Sequence, residues 1–400
     1  MPEPRHLHVG VALDGAGWHP AAWREPDARP NNLLSAGYWV DLARRAEAGL
    51  LDFLTIEDAM RLQSDHPYHP DQRTDRVRGQ LDSVLIASRI APATGNIGLI
   101  PTVVLTHTEP FHTSKAIATL DYVSKGRAGL RVRVSARPEE ARHFGRREFA
   151  EVDPRRRDQP DGVALVSDLF DEAEDYVEVV RRLWDSWEDD AEIRDVATGR
   201  FIDREKLHYI DFSGRWFSVR GPSITPRPPQ GQPLVAALGH ASRPYQLVAR
   251  STDLGFITPT DQVSAAAIVE EIRREESLAG RPHGAVRVFA DIVVFLGDTP
   301  QKAGDRKARL DQWAGVKYRS DAFVFTGTAT QLADLIEDWA IVGLSGFRLR
   351  PGTLPQDLIQ ITGQLTPELQ KRGIFRQDYE EPTLRGRFGL DRPANRYVTA

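Results

Sequence analysis

The side chains best able to do chemistry in this chain sit at the ends of short apolar runs, and the least expected of them are Arg131 and Arg133. They interrupt the run Gly129-Leu130-Arg131-Val132-Arg133-Val134-Ser135. Alternate residues of a strand share a face, so the two guanidiniums point the same way. If that face turns into a barrel, two buried cations require carboxylate partners or a bound anion. Pairing with Glu57 or Asp58 and binding of a phosphate or carboxylate ligand stand equally open at this level. Other chemistries have little to stand on. The chain has no cysteine, which excludes disulfides, thiolate nucleophiles and cysteine-ligated metals. His66-Pro67-Tyr68-His69 offers two imidazoles, but a proline-broken loop does not give the i, i+4 face of a zinc hydrolase. No Gly-x-Ser-x-Gly elbow for a serine nucleophile occurs. The expected metal content is none.

The elements that must position these residues follow from periodicity. Short apolar runs alternate with helical patterns, the signature of a parallel sheet wrapped by helices. Strands are expected at His8 to Leu13, Phe53 to Glu57, Ile97 to Val104, Leu130 to Val134, Leu234 to Leu238, Gly255 to Thr258, Val286 to Phe295 and Gly346 to Arg350. Helices are expected to begin near Tyr38, Leu81, Phe111, Asp171, Arg243, Asp261, Thr299 and Thr330, with a last one after Pro355. Eight strands, each followed by a helix, give a closed (β/α)8 TIM barrel, an α/β fold whose functional residues gather at the C-terminal strand ends. An open doubly wound sheet would carry a glycine-rich nucleotide turn after its first strand. Here that turn reads Asp14-Gly15-Ala16-Gly17-Trp18-His19 and lacks the fingerprint. Two stretches are too long for plain connections. One is Ala136 to Phe170, after strand 4, and the other is Glu188 to Pro233, before strand 5. The second contains LHYIDFSGRWFSV, which reads as a β-hairpin turning at Ser213-Gly214.

Composition bounds the partners. The chain has 400 residues, is 40% hydrophobic and 27% charged, and carries a net charge of −5. That gives no electrostatic footprint for nucleic acid. The run Arg155-Arg156-Arg157, flanked by Asp153 and Asp158, reads as a solvated loop. The N-terminus lacks a secretory signal pattern, and no apolar run approaches a membrane span. The expected setting is the cytoplasm, without a membrane or nucleic-acid partner.

The wording of IGLIPTVVLTHTEPFHTSKAIATLDYVSKGRAGLRVRVS, from Ile97 to Ser135, together with Ala118-Thr119-Leu120-Asp121, Leu183 to Trp187 and Phe217 to Pro229, resembles the luciferase-like flavin monooxygenases. The likeness is strongest to the branch oxidising nitrilotriacetate and dibenzothiophene sulfone, and it runs from HVGVAL to RPANRY. It implies one luciferase-like barrel domain over residues 1–400. The implied reaction is insertion of one oxygen atom from O2 into a small organic substrate, with reduced FMN supplied by a separate reductase through diffusion. The resemblance also implies a homo-oligomer, with the C-terminal tail packed over the barrel or a partner subunit. Carried over residue by residue, it implies that Asp58, Thr102, Thr106, Arg131, Ser135, Gly239, Ser242 and Arg243 contact the cofactor. Catalytic residues stay unassigned. Three positions depart from the family. Arg131 replaces an asparagine. Gly239-His240-Ala241-Ser242-Arg243-Pro244 replaces a Gly-x-Ser-x-x-Gly-like phosphate turn, with Ser242 or Arg243 as substitute ligands. Phe170 replaces a tyrosine before Asp-Glu-Ala. Two rivals remain: a deazaflavin-dependent oxidoreductase of the same fold, and a non-catalytic barrel that binds an anionic ligand or a protein partner.

Overall fold

Strands β1 (His8–Leu13), β2 (Phe53–Ile56), β3 (Gly98–Val104) and β4 (Gly129–Arg133) run parallel in chain order in the computed structural model, which describes residues 6–64, 70–149, 159–281 and 284–398. Two antiparallel hairpins follow, β5 (Glu192–Asp195) with β6 (Arg200–Ile202), and β7 (Phe212–Ser213) with β8 (Ser218–Val219). The barrel resumes with β9 (Leu234–Gly239), β10 (Leu254–Ile257), β11 (Arg287–Leu296), β12 (Phe323–Gly327) and β13 (Gly346–Pro351). Eight of these strands form a ring in the order β10-β9-β4-β3-β2-β1-β13-β11, which closes where β10 pairs with β11. The ring is the expected eight-stranded barrel, with boundaries shifted by about a residue.

The unexpected strand is β12. On one edge of the ten-residue β11, the N-terminal half pairs with β10, from Leu254↔Arg287 to Ile257↔Ala290. The C-terminal half of that edge pairs with β12, from Ile292↔Phe323 to Leu296↔Gly327. β12 therefore extends the barrel wall at its C-terminal mouth.

Helices α1 (Ala36–Ala48), α2 (Ser83–Ile90) and α3 (Pro110–Ser124) follow the first three strands, and α4 (Pro138–Ala141) and α5 (Pro160–Asp185) follow β4. Then come α6 (Ser242–Ser251), α7 (Gln262–Ala279), α8 (Pro300–Ala314) and α9 (Ala329–Ala340), with α10 (Gln356–Gln360), α11 (Thr366–Lys371) and α12 (Leu384–Arg387) beyond the last strand. Their starts carry local signals. Asp261 and Thr299 are the N-caps of α7 and α8, accepting from the backbone N–H of Ser264 and Lys302. α5 begins at Pro160, well before the expected Asp171. Proline at its first position and Asp161 in its first turn suit a helix start. Trp184 on this helix is buried and donates from Nε1 to the Ser114 carbonyl at 3.0 Å, which fixes α5 against α3. Leu183 instead packs with Val179 and Ile210, beneath the β7–β8 hairpin. The crossover from β3 to β4 ends its helix with Lys125 at φ 57° and Gly126 at φ 86°, and Asp121 then accepts from the N–H groups of Ala128 and Gln230.

The barrel interior changes character along its axis. At the N-terminal floor, Phe53, Ile100, Leu234, Leu254, Phe256 and Phe289 pack with Leu384 and Phe388 of the tail. The tail thus plugs the floor, and Arg385 shares Asp253 with Arg181 to hold it there. Gly10 is required beneath, because a Cβ there would lie 2.3 Å from the Phe53 ring. Above Phe256 the interior turns ionic, starting with the Arg348 guanidinium 4.3 Å over that ring. His66, His69 and Arg155 to Arg157 lie outside the described residues. Among the described residues, no helix is long and apolar enough to cross a membrane, and no group of three His, Cys, Asp or Glu could hold a metal ion.

Candidate active site

Every strand of the ring ends at the same mouth, so residues just past the strand ends meet around one space. That space is a cavity of about 1020 Å³. The apolar part of its lining includes Val132, Val134, Phe170, Ala237, Leu238, Pro244 and Leu247. The charged part of the lining includes Asp14, Glu57, Arg133, Arg350 and Asp321.

The ionic layer is built across the barrel. Arg131 on β4 donates to Glu57 Oε2 at 2.6 Å and to Thr102 Oγ1 at 3.0 Å. Arg348 on β13 reaches Glu57 Oε1 at 3.3 Å, Thr55 Oγ1 at 3.1 Å and Asp291 Oδ1 at 2.8 Å. Arg350 donates from Nε to Asp291 Oδ2 at 2.8 Å and from Nη1 to Asp321 Oδ1 at 2.7 Å. These bonds link β2 to β4 and β2 to β13, which are not sheet neighbours, so the side chains point inward. The ion pair with Glu57, one of the two readings open for Arg131, is formed. Burial pushes the Glu57 carboxyl up, but the guanidiniums of Arg131, Arg348 and Arg350 outweigh it and hold the group at about 2. Burial depresses Arg131 to about 10, and its Nε is buried without a partner.

Two groups on the cavity wall stand apart. Among the described residues, Arg133 makes a single hydrogen bond, from Nη1 to the Asp58 carbonyl oxygen at 2.5 Å, and has no carboxylate within ion-pair distance. Asp14, just past β1, has no hydrogen-bond or ionic partner for its carboxylate among the described residues. Burial, with the nearby Glu57 charge, raises it to about 7 against the pull of Arg133 and Arg350.

The expected cofactor-contacting residues divide into three groups. Asp58, Arg131 and Arg243 line the cavity. The Asp58 carboxylate is held by the N–H groups of Ala59 and Ser83 and by Gln80 Nε2, at 2.7 to 3.0 Å, and so ties the β2 loop to α2. Gly239 and Ser242 are not themselves lining residues but adjoin His240, Ala241 and Arg243, which are. A Cβ on Gly239 would sit 2.6 Å from the Tyr245 ring, so glycine lets α6 begin close against its strand. The N-cap of α6 is Ala241, with no side-chain acceptor, which leaves first-turn N–H groups open to a ligand. Thr102, Thr106 and Ser135 sit behind the wall. Thr102 braces Arg131, and Thr106 Oγ1 accepts from Ser135 N at 3.1 Å. Arg243 donates to Glu174 at 2.7 Å and to Asp171 at 2.5 Å, so its charge is already shared by two carboxylates.

Asp14, Asp291, Asp321, Arg348 and Arg350 were not singled out from sequence. Arg348 and Arg350 repeat the alternation of Arg131 and Arg133 within an apolar strand, and that pattern was the available signal.

The sequence model described as "Luciferase-like monooxygenase" matches residues 18–341. The chain belongs to the luciferase-like monooxygenase family. The N-acetyl-S-(2-succino)cysteine monooxygenase of Bacillus subtilis (strain 168) is 30% identical, and the alignment covers 98% of this chain and 99% of that one. The nitrilotriacetate monooxygenase component A of Aminobacter aminovorans is 28% identical, with 98% of each chain covered. Among solved structures, riboflavin lyase with modified FMN and substrate riboflavin superposes with a TM-score of 0.80 at 25% identity, covering 96% of each chain. As a luciferase-like monooxygenase the chain has its family's barrel, with an ionic layer beneath the mouth.

Proposed function

We infer that this chain is the oxygenase component of a two-component FMNH2-dependent monooxygenase, inserting one oxygen atom from O2 into a small organic substrate. The observation that carries the reading is the cavity, lined by both apolar and ionic residues, with a helix start that lacks a side-chain cap beside it. Those features fit a flavin mononucleotide, whose ring is flat and apolar and whose tail is an anion. In this reading the ring lies on Ala237, Leu238 and Leu247, with the Arg131 guanidinium at its polar edge. The phosphate lies at the α6 N-terminus, held by the first-turn N–H groups, Ser242 and Arg243. Asp58 keeps the α2 loop closed over the opposite side. Reduced FMN, when bound, supplies the electrons that activate O2. The protein's part is to orient flavin and substrate and to keep water from the apolar lining.

The phosphate end is weakly endowed, because Asp171 and Glu174 neutralise Arg243. Loose binding suits a cofactor that arrives reduced, by diffusion from a separate reductase, and leaves after oxidation. The whole chain, 1–400, then acts as one barrel unit. Anaerobic titration with reduced FMN, oxidised FMN and a reduced deazaflavin tests the reading. The expected result is binding of reduced FMN in preference to the other two. Preference for the deazaflavin, or no flavin binding by folded protein, overturns it.

A further inference from the structure

The mouth cavity has a neighbour. A second cavity of about 370 Å³ adjoins it, and Asp14, Trp18, Gln63 and Ser64 line both. Three of these four have their polar atoms engaged. Trp18 Nε1 donates to the Ala12 carbonyl at 3.0 Å, the Gln63 amide holds both the N–H and the carbonyl of Gly79, and Ser64 donates to Asp71 at 3.0 Å. Asp14 brings a carboxylate that has no partner among the described residues. The other carboxylates on the mouth cavity are taken. Glu57 is shared by Arg131 and Arg348, Asp321 is paired with Arg350, and Asp58 is filled by three neutral donors.

The backbone around Asp14 is fixed. It is the first residue past β1, and its carbonyl accepts from Gly17 N at 2.8 Å. The loop that follows is tied to the end of β13 and to α1. Trp18 N donates to Pro351 O at 2.9 Å, Leu354 N to Ala16 O at 2.7 Å, and the Tyr38 hydroxyl to Gly15 O at 2.9 Å. Gly17, at φ 125°, lets the loop lie that close, since a Cβ there would be 2.5 Å from the Gly352 carbonyl oxygen. A carboxyl on so braced a loop needs little rearrangement to act. The titratable and charged groups facing it are Glu57 after β2, Arg131 and Arg133 of β4, Arg350 of β13, Tyr38 of α1 and Tyr318 before β12. Burial and Glu57 raise the carboxyl to about 7 against the three arginines. Acid and carboxylate forms therefore coexist near neutrality, as an acid regenerated in every turnover requires.

We propose that Asp14 is a catalytic acid of the monooxygenase reaction, protonating the oxygen atom that leaves as water. This rests on the flavin reading of the mouth cavity and adds the residue that moves a proton there. With the flavin ring in the larger space, a molecule reaching it from the smaller one passes Asp14. Return of reduced FMN to its oxidised form delivers two electrons and two protons to O2. The O–O bond breaks, one oxygen atom bonds to the substrate and the other departs. The Asp14 O–H bond breaks as a new O–H bond forms on the departing oxygen, and the carboxylate then takes up a proton shed by the flavin. No net proton is consumed at Asp14, and the products are oxidised FMN, oxygenated substrate and water. Without substrate, the same donation releases hydrogen peroxide with its O–O bond intact.

The peroxide reaction tests the proposal with reduced FMN and O2 as the only reagents. The full-length protein carrying reduced FMN is mixed rapidly with oxygenated buffer, and the return of oxidised-flavin absorbance is followed against pH. For wild type the rate should fall as pH rises through about 7. Asp14→Asn should be slower by about 100-fold on the acid side, the scale of a general acid, and flat with pH. Asp14→Glu should keep the pH dependence, and added acetic acid should restore rate to Asp14→Ala, which it cannot do for a structural residue. Infrared difference spectra of flavin-free wild type against Asp14→Asn give a readout apart from turnover. A protonated-carboxyl band should be present there and be lost as pH rises through about 7. Rates of wild type and Asp14→Asn that coincide at every pH overturn the proposal. So does a slowing that neither Asp14→Glu nor acetic acid relieves, or the absence of the infrared band. FMN affinity, titrated first on each protein, separates the two kinds of failure, and circular dichroism melts check the fold. No binding of reduced FMN by folded wild type sinks the flavin reading and this proposal together, whereas binding with unaltered rates sinks the proposal alone.

Discussion

The floor and the roof of this barrel are built from the same eight strands and obey opposite rules. At the floor, Phe53, Phe256, Phe289 and Phe388 fill the axis, with ring centroids 5.4 to 6.0 Å apart for the Phe53–Phe289 and Phe256–Phe289 pairs. One step up the same strands, Asp291, Arg348 and Arg350 are as deeply buried, each no more than 1% exposed. The floor is held by area removed from water, which is insensitive to pH and salt and tolerates volume-conserving change. The roof is held by geometry, since each buried charge depends on a particular partner. A barrel that needs only stability can be apolar throughout, whereas one that must admit charged ligands at its mouth has to solvate them with fixed charges of its own.

The largest effect should come from breaking the centre of the roof. Asp291→Ala leaves Arg348 and Arg350 without their common carboxylate and should cost about 3–5 kcal/mol, read by urea denaturation. The triple change Asp291→Leu, Arg348→Met, Arg350→Met extends the floor's rule upward and should recover most of that loss. If it does not, the ionic layer is more than a paired substitute for an apolar core. Phe289→Ala at the floor should also cost about 3–5 kcal/mol, with the same penalty at any pH where the protein is folded.

Glu57→Gln should come next, at about 3 kcal/mol near neutrality. The sign follows from a carboxyl held at about 2 in the folded state against an ordinary value of 4.5. Its contribution is complete above the unfolded value and is lost as pH falls from about 4.5 through about 2. The wild-type advantage over Glu57→Gln should therefore shrink in melts at acid pH. Asp14 runs the other way and by a smaller amount, because its carboxylate borders the cavity. Raised to about 7 from 3.8, it favours the folded state most below 3.8, and that preference is lost as pH rises through about 7. Asp14→Asn should melt above wild type at pH 8 and level with it near pH 4.

The smallest effect sharpens the contrast at the rim. Asp171→Asn with Glu174→Gln frees Arg243 for a phosphate and should tighten FMN binding by less than about 1 kcal/mol, the scale of exposed ion pairs. The gain should fade in high salt, and fluorescence titration at two ionic strengths reads it.

The fold was legible because its signals are local. The apolar runs that became β1, β3 and β9, the crossover through α3, and the caps at Asp261 and Thr299 each need only a few neighbouring residues to be recognised. β12 escaped because it pairs along one edge only and is half-exposed over most of its length, so FVFTG carries no burial signature. The start of α5 escaped because Gly162 and a charged approach dilute its helical pattern.

At the site, sequence singled out Arg131 and Arg133 as alternating cations that need partners, and it named Glu57 as one choice. The sequence by itself determined that these charges exist, share a face and lie at a strand end, since alternation is a property of the extended backbone. Only the tertiary structure decided who pairs with whom. The partners Glu57, Asp291 and Asp321 lie 74, 57 and 29 residues from Arg131, Arg348 and Arg350. Closure of the ring brings them within hydrogen-bond reach, and the strength of a buried charge pair is set by that distance and by the water excluded around it. The same closure leaves Arg133 and Asp14 without a charged partner among the described residues, which no reading along the chain could show, because being unpaired depends on the neighbours in space.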